Sequence, residues 1–328
     1  MNKLPWAQVG RWLGFAITAF AIGLVVWSIY TSDLIASDEW NDADVLIGLI
    51  VSTVIYTPSL FLVAAAWYLL TTSVSKTRIF WWDGFYIYAT SAIYRYIPSN
   101  VIHYIGRHAL LRQRGVEHAA AAWGSLAETA LLLLASTFVA LVLGTPLLVE
   151  QLVRVAHDNW LLLVLLALFA IFLVGIAARF VRRRYNIRDV LEPFWRAKVL
   201  HAATVAFALY VAARTISGMS LYYLSIAILD ASQLSMADMI AVGAAAWTLG
   251  YVAPGASAGI GVREAVMIAA LVALDVSFSD ATLLAIVFRL TTTFADLLFT
   301  ALGWALRYTM GPPPASGSKP AGGDAISV

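Results

Sequence analysis

Between Val45 and Thr72 the chain runs for 28 residues without one charged side chain. As a helix rising about 1.5 Å per residue, such a run outreaches the roughly 30 Å hydrocarbon core of a bilayer, for which about 20 apolar residues suffice. Further apolar runs fall at 12–30, 118–145, 160–180, 199–229 and 281–307. The expected fold is therefore an all-α polytopic membrane protein. With 61% hydrophobic and 12% charged residues, the net charge of +2 carries no nucleic-acid signal, and the placement of basic residues between spans becomes the informative quantity. The absence of cysteine excludes disulfides, thiolate metal sites and cysteine nucleophiles.

Loop charges orient the spans. Lys3 and Arg11 precede the first run, and TSDLIASDEWNDAD, rich in carboxylates and without Lys or Arg, follows it. No small-x-small cleavage site ends that run, so it reads as an uncleaved span with a cytoplasmic N-terminus. SVSKTRIFWWDG and RFVRRRYNIRDVLEPFWRAK are basic and read as cytoplasmic. The stretch 308–328, rich in Pro, Gly and Ser, reads as a disordered cytoplasmic tail.

Two apolar stretches, 84–115 and 239–274, fit neither loops nor simple spans. Each holds about 14 apolar residues, a proline (Pro98, Pro254) and a second helical piece, and about 14 residues reach only some 21 Å. They read as re-entrant half-helix pairs. Flanking charges place the first entry on the cytoplasmic side and the second outside. Pro98 to Arg107 and Pro254 to Arg263 both span nine residues, and Glu128 and Arg289 sit 13 and 14 residues beyond Gly115 and Asp275. The expectation is one integral membrane domain over 1–307, with about six full spans and two re-entrant pairs in an inverted repeat. The repeats are taken as 45–145 and 199–307, joined by a linking helix at 160–180.

Broken backbone at membrane depth must be buried in protein or line a polar cavity. Ser99 or Asn100 in the first pair and Ser257 in the second are placed to cap the returning helices, whose N–H groups favour an anion. Gly255, Gly259 and Gly261 allow close approach; the bland reading of these small residues is helix packing. Intramembrane charges are costly and mark pairs or pathways. Glu128 and Arg289 lie at similar mid-depth and are expected partners. Arg95, Arg107, Arg214 and Arg263, with Pro98 and Pro254 at the turns, form the candidate translocation set. Glu128, Glu264, Arg289 and Asp296 are candidates for gating or proton coupling. Arginines outnumber carboxylates here, and their planar forks match phosphate. A structural ion pair or a snorkelling arginine is the competing reading for each.

Enzyme signals are weak. His103, His108 and His118, with Glu117 nearby, lack zinc-motif spacing, and GASAGIG follows no strand, so neither metal nor cofactor is expected. The tyrosines and tryptophans read as interfacial or packing residues.

APGASAGIGVREAVMIAAL, with its Gly-Val-Arg-Glu-Ala core, resembles the signature of the lysylphosphatidylglycerol synthase transmembrane-region family. IYRYIPSNVIHYIGRHALLRQRGV, followed by the glutamate of SLAETALLLLAS, resembles its second motif, an arginine-tyrosine-x-proline turn leading to Gly-Arg and a later Glu. The resemblance spans about 45–307. Pro98-Ser99-Asn100 stands where the family often has Pro-Gly, and Ala256 and Ser257 replace part of a glycine doublet. The resemblance implies a lipid flippase module. Without the aminoacyl-transfer domain, synthesis of lysyl-lipid itself is not expected.

The leading expectation is a non-enzymatic protein of the cytoplasmic membrane, both termini inside, that moves an anionic phospholipid or polyprenyl-phosphate-linked lipid between leaflets. The alternatives are an ion- or proton-coupled transporter of a small anionic solute and an accessory subunit of a lipid-modifying enzyme. Expected partners are membrane lipids, and among proteins a second copy or such an enzyme; nucleic acid is not one.

Overall fold

The computed structural model describes residues 43–92, 94, 102–144, 196–229, 234–252 and 261–310. The expected spans 12–30 and 160–180 lie outside them. The described residues form eight helices in chain order: α1 (Ala43–Val74), α2 (Trp81–Ala92), α3 (Ile102–Gln113), α4 (His118–Leu143), α5 (Ala197–Ile228), α6 (Met236–Val252), α7 (Val262–Val272) and α8 (Phe278–Met310). Four are long and apolar enough to cross a membrane: α1, α4, α5 and α8. The other four have 12, 12, 17 and 11 residues, about 17–26 Å of helix. The chain is a polytopic all-α membrane protein.

Its polarity is that of a protein solvated by lipid. Leu46, Ile50 and Val54, four residues apart on α1, are exposed, as are Leu126, Leu134 and Leu141 on α4. The interior instead holds Ser52, Arg107, Glu128, Arg214, Glu264 and Asp296. In lipid the apolar surface faces out, and polar groups are satisfied inside.

The element order repeats: long helix, two short helices, long helix. The turns between the third and fourth members are alike bond for bond. In the first, the N–H of Gly115 bonds Arg112 O at 3.0 Å and that of Val116 bonds Leu111 O at 3.2 Å; in the second, Asp275 bonds Val272 O and Val276 bonds Leu271 O, both at 3.1 Å. This is the Schellman arrangement, and it needs a left-handed residue. Gly115 has φ +76° and Asp275 φ +63°. Because α3 and α7 start at Ile102 and Val262, and α4 and α8 at His118 and Phe278, each residue of α3–α4 corresponds to the one 160 positions later in α7–α8.

Corresponding long helices run in opposite directions. Ser220 Oγ donates to Ser52 O at 2.8 Å and Lys198 Nζ to Thr72 O at 3.4 Å, so α1 and α5 pack antiparallel at the centre. The crossings are tight. A Cβ on Gly48 would come within 2.5 Å of Ala227 Cβ, and one on Gly218 within 2.3 Å of the Ile240 backbone, the close approach small residues allow between membrane helices. The cross-repeat contacts also match. α2 meets α8 antiparallel through Thr300 Oγ1 to Ala89 O at 3.0 Å and Arg307 to Asp83 at 4.0 Å. α4 meets α6 antiparallel through Ser136 Oγ to Ala244 O at 3.1 Å.

The bundle has a basic and an acidic end. Lys76, Arg78, Arg112, Arg114, Arg196, Lys198 and Arg307 gather where α1 and α8 finish and α5 begins. The opposite end carries Asp44, Asp238, Asp275 and Asp280, and no Lys or Arg among the described residues.

Candidate functional site: two charge centres in corresponding helices

The first centre is sealed. Arg107 on α3 is 1% exposed. Its Nη1 pairs with Glu128 Oε2 on α4, its Nε donates to Ser91 Oγ at 3.1 Å, and Tyr88 Oη donates to Glu128 Oε1 at 2.5 Å. Aromatic rings enclose the guanidinium, with Tyr88 at 3.9 Å, Trp67 at 5.0 Å and Tyr104 at 5.9 Å. Packing of α1, α2 and α4 around α3 positions all of these groups.

One turn toward the α3 N-terminus lies a cluster of three hydroxyls. Tyr104 bonds Thr129 at 2.8 Å, Thr129 bonds Tyr251 at 3.2 Å, and Tyr104 also bonds Tyr251. Tyr251 belongs to α6, in the other repeat. Its ring stacks on Trp247 with centroids 5.0 Å apart, and Arg214 of α5 lies 4.6 Å over Trp247.

The second centre is less enclosed, with Arg289 partly exposed. Glu264, third residue of α7, reaches back so that its Oε2 accepts the N–H of Gly261 at 2.6 Å, while Arg289 Nη1 on α8 stands 3.6 Å from Oε1. Gly261, the N-cap, has φ +85°, a conformation glycine adopts without steric cost. Arg263 packs so closely on α6 that a Cβ at Gly250 would fall 2.1 Å from its Cγ. A recess here is lined by Arg263, Glu264, Met267, Ala285, Phe288, Arg289 and Thr292.

Three expectations are corrected. Glu128 pairs with Arg107 rather than with Arg289, whose partner here is Glu264; equal depth does not mean a shared helix face, and each ion pair forms between adjacent helices of one repeat. The cap of α7 is Gly261, with the Glu264 carboxylate, rather than Ser257, so the helix N-terminus already holds an anion of the protein's own. Arg107 and Arg263 do not correspond. Counted from the shared turns, Arg107 matches Met267 and Glu128 matches Phe288, whereas Tyr104 matches Glu264 and Thr129 matches Arg289.

Arg214 and Asp296 are buried on α5 and α8. Arg95, Pro98, Ser99, Asn100, Pro254, Gly255, Ser257 and Gly259 lie outside the described residues. The sequence reading missed Tyr88, Ser91, Tyr104, Thr129 and Tyr251 by treating tyrosines as packing residues. The i, i+3 spacing of Tyr88 and Ser91 was the available signal, since it sets two polar groups on one helix face. Of the histidines, His108 Nε2 and His118 Nδ1 lie 2.8 Å apart near the basic end, and His103 packs on Tyr104. Burial, then the neighbouring His118 and Arg112, hold the His108 pKa below its ordinary 6.5.

The family profile of the lysylphosphatidylglycerol synthase TM region matches residues 11–300. The chain belongs to this family. The match takes in both charge centres and all four spans of this family member, apart from the last turns of α8. No curated protein and no solved structure matches the chain.

Proposed function

We propose that this member of the family is a lipid translocase, moving an anionic phospholipid or polyprenyl-phosphate-linked lipid across the cytoplasmic membrane. The recess at α7 and α8 carries the reading. One wall presents Arg263 and Arg289 beside Met267, Ala285 and Phe288, and an amphiphile needs both: guanidinium forks for a phosphate and apolar surface for the first methylenes. Glu264 and Arg289 act as the gate of this recess, opening when a headgroup phosphate competes for Arg289. Antiparallel repeats support alternating access, with the two short-helix pairs entering the membrane from opposite faces. The basic end supports a cytoplasmic location for the α8 C-terminus. On this reading the chain itself is not an enzyme, and its partners are lipids.

The test is leaflet-resolved movement of labelled phosphatidylglycerol in proteoliposomes, normalised to reconstituted protein. Arg263→Lys keeps the charge but loses the fork, so the rate should fall several-fold, and Arg263→Gln should fall further, by about tenfold or more. Wild-type rates in both variants would remove the recess from the mechanism. Uptake of a small anionic solute without lipid movement would replace the reading with solute transport.

A further inference from the structure

Two of the long helices carry weakened backbone, and the weak segments lie side by side. α1 contains Pro58, whose ring brings no N–H and crowds the carbonyl of Val54 four residues back. On the same stretch Thr57 Oγ1 donates to Thr53 O and Thr53 Oγ1 to Leu49 O, both at 2.7 Å. α8 contains three successive threonines: Thr291 Oγ1 donates to Val287 O at 3.2 Å, and Thr292 and Thr293 both donate to Arg289 O, at 3.0 and 2.8 Å. Prolines kink membrane helices, and hydroxyls that bond back to the preceding turn bend them. Ser52 Oγ bonds Thr291 Oγ1 at 2.8 Å across the two helices, and Tyr56 meets Phe288 edge to face at 6.2 Å. Further along both chains Phe61 meets Phe299, so α1 and α8 run parallel.

The helix halves on either side of these segments are held differently. Toward the basic end, Phe61, Phe85 and Phe299 interlock α1, α2 and α8 with centroids 5.0–5.1 Å apart, and Thr300 and Arg307 add polar ties from α8 to α2. Toward the acidic end, α8 supplies Ala285, Phe288, Arg289 and Thr292 to the recess, and Phe288 rests on Tyr56 of α1. There α1 crosses α5 at one tight point, Gly48 against Ala227. Pro58 itself is exposed, so packing among the described residues does not account for a proline in mid-helix. Its effect is on the backbone of α1.

We propose that Thr53–Pro58 and Thr291–Thr293 form one shared joint, about which the acidic-end halves of α1 and α8 tilt together against α7 and widen the recess. The inference rests on the reading of that recess as the substrate's place and adds how it opens. Arg289 sits on the tilting half of α8, whereas Glu264 is held on α7 by the N–H of Gly261, so the tilt itself stretches their 3.6 Å pair. Ser52, Thr291, Tyr56 and Phe288 keep the two halves in step, and the crossing of Gly48 on Ala227 is the pivot. The phenylalanine cluster is the fixed base.

The chain has no cysteine, so paired cysteines carrying nitroxides can report distances by double electron–electron resonance. Leu141→Cys with Phe278→Cys spans the acidic-end tips of α4 and α8, and Ala122→Cys with Trp304→Cys spans their basic-end portions; all four positions are exposed. The α8 half from 278 to 290 is about 20 Å long, so a tilt near 15° displaces its tip by about 5 Å. In phosphatidylcholine nanodiscs containing phosphatidylglycerol, the first pair should show two populations about that far apart and the second pair one. Pro58→Ala restores the helix ladder without removing an interior contact and should shrink the displaced population several-fold. Thr293→Val, outside the recess, should shrink it about twofold. A single distance for the first pair would overturn the joint. So would two populations left unchanged by both variants, or a second pair that shifts as much as the first. Two populations that respond to Pro58→Ala but are the same without phosphatidylglycerol would uphold the joint and count against the lipid reading of the recess, so the two fail separately.

Discussion

Arg107–Glu128 and Glu264–Arg289 join corresponding helices of the two repeats, yet the first pair is 1% and 5% exposed and the second 9% and 19%. Glu128 receives a tyrosine hydroxyl as well as its arginine, inside a shell of aromatic rings. Glu264 divides its carboxylate between a helix cap and an arginine 3.6 Å away. Two copies of one architecture thus hold charge in different ways. The buried pair fixes the first repeat, because opening it would leave two charges in a low dielectric. The looser pair can exchange partners at modest cost, because its ion pair is 3.6 Å long and the arginine is partly exposed. What duplicates in such a protein is helix geometry; burial then decides whether a charge pair serves as a fixture or as a site.

The largest effect should come from breaking that contrast. Arg107→Ala or Glu128→Ala strands a buried partner and should cost about 3–5 kcal/mol, with most of it recovered by the apolar pair Arg107→Met with Glu128→Leu. Arg289→Gln should cost under about 1 kcal/mol, as for a partly exposed pair. Unfolding of micelle-solubilised protein measures all four, and equal losses in the two repeats would erase the distinction. A smaller effect separates the turns: Asp275→Gly relieves a left-handed aspartate and should stabilise, while Gly115→Asp should destabilise, each by roughly 1 kcal/mol. The same unfolding assay reads both, and shifts of the same sign would show that the turns are not equivalent.

The smallest effect concerns pH, at a place where the first repeat has His108 and the second Ile268. The folded pKa of His108 lies below 6.5, so the folded state favours the neutral ring. The stabilisation is present above the unfolded value near 6.5 and is lost as pH falls through the folded pKa, where the unfolded chain binds more protons. A melting-temperature series across that window should slope downward toward acid and flatten in His108→Gln. An unchanged slope would place the titration elsewhere.

Much of this was legible in the sequence for physical reasons that differ from element to element. The run Val45–Thr72 falls within α1, and the stretch 84–115 holds most of two 12-residue helices, because length and apolarity alone decide whether a helix can span. The charge partners were not legible. Glu128 and Arg289 occupy similar depths, but depth along a helix says nothing of rotation about its axis. The nine-residue match from each proline to Arg107 and Arg263 misled for a related reason: helix register is set at the far end, by hydrogen bonds to Leu111 and Leu271 around a left-handed residue. Sequence spacing counted from the proline does not see that anchor.

The antiparallel packing of α1 on α5 also sets an order of events during synthesis. Arg107 and Glu128 are only 21 residues apart on successive helices, and Glu264 and Arg289 are likewise on successive helices, so each pair can be neutralised as a hairpin while it enters the bilayer. The bonds that tie α1 to α8, such as Ser52 with Thr291 across 239 residues, must wait until α8 has been made. The first half therefore resides in lipid as a charge-balanced intermediate with the α5-facing side of α1 unclaimed, and the nascent chain depends on its own second half to cover it.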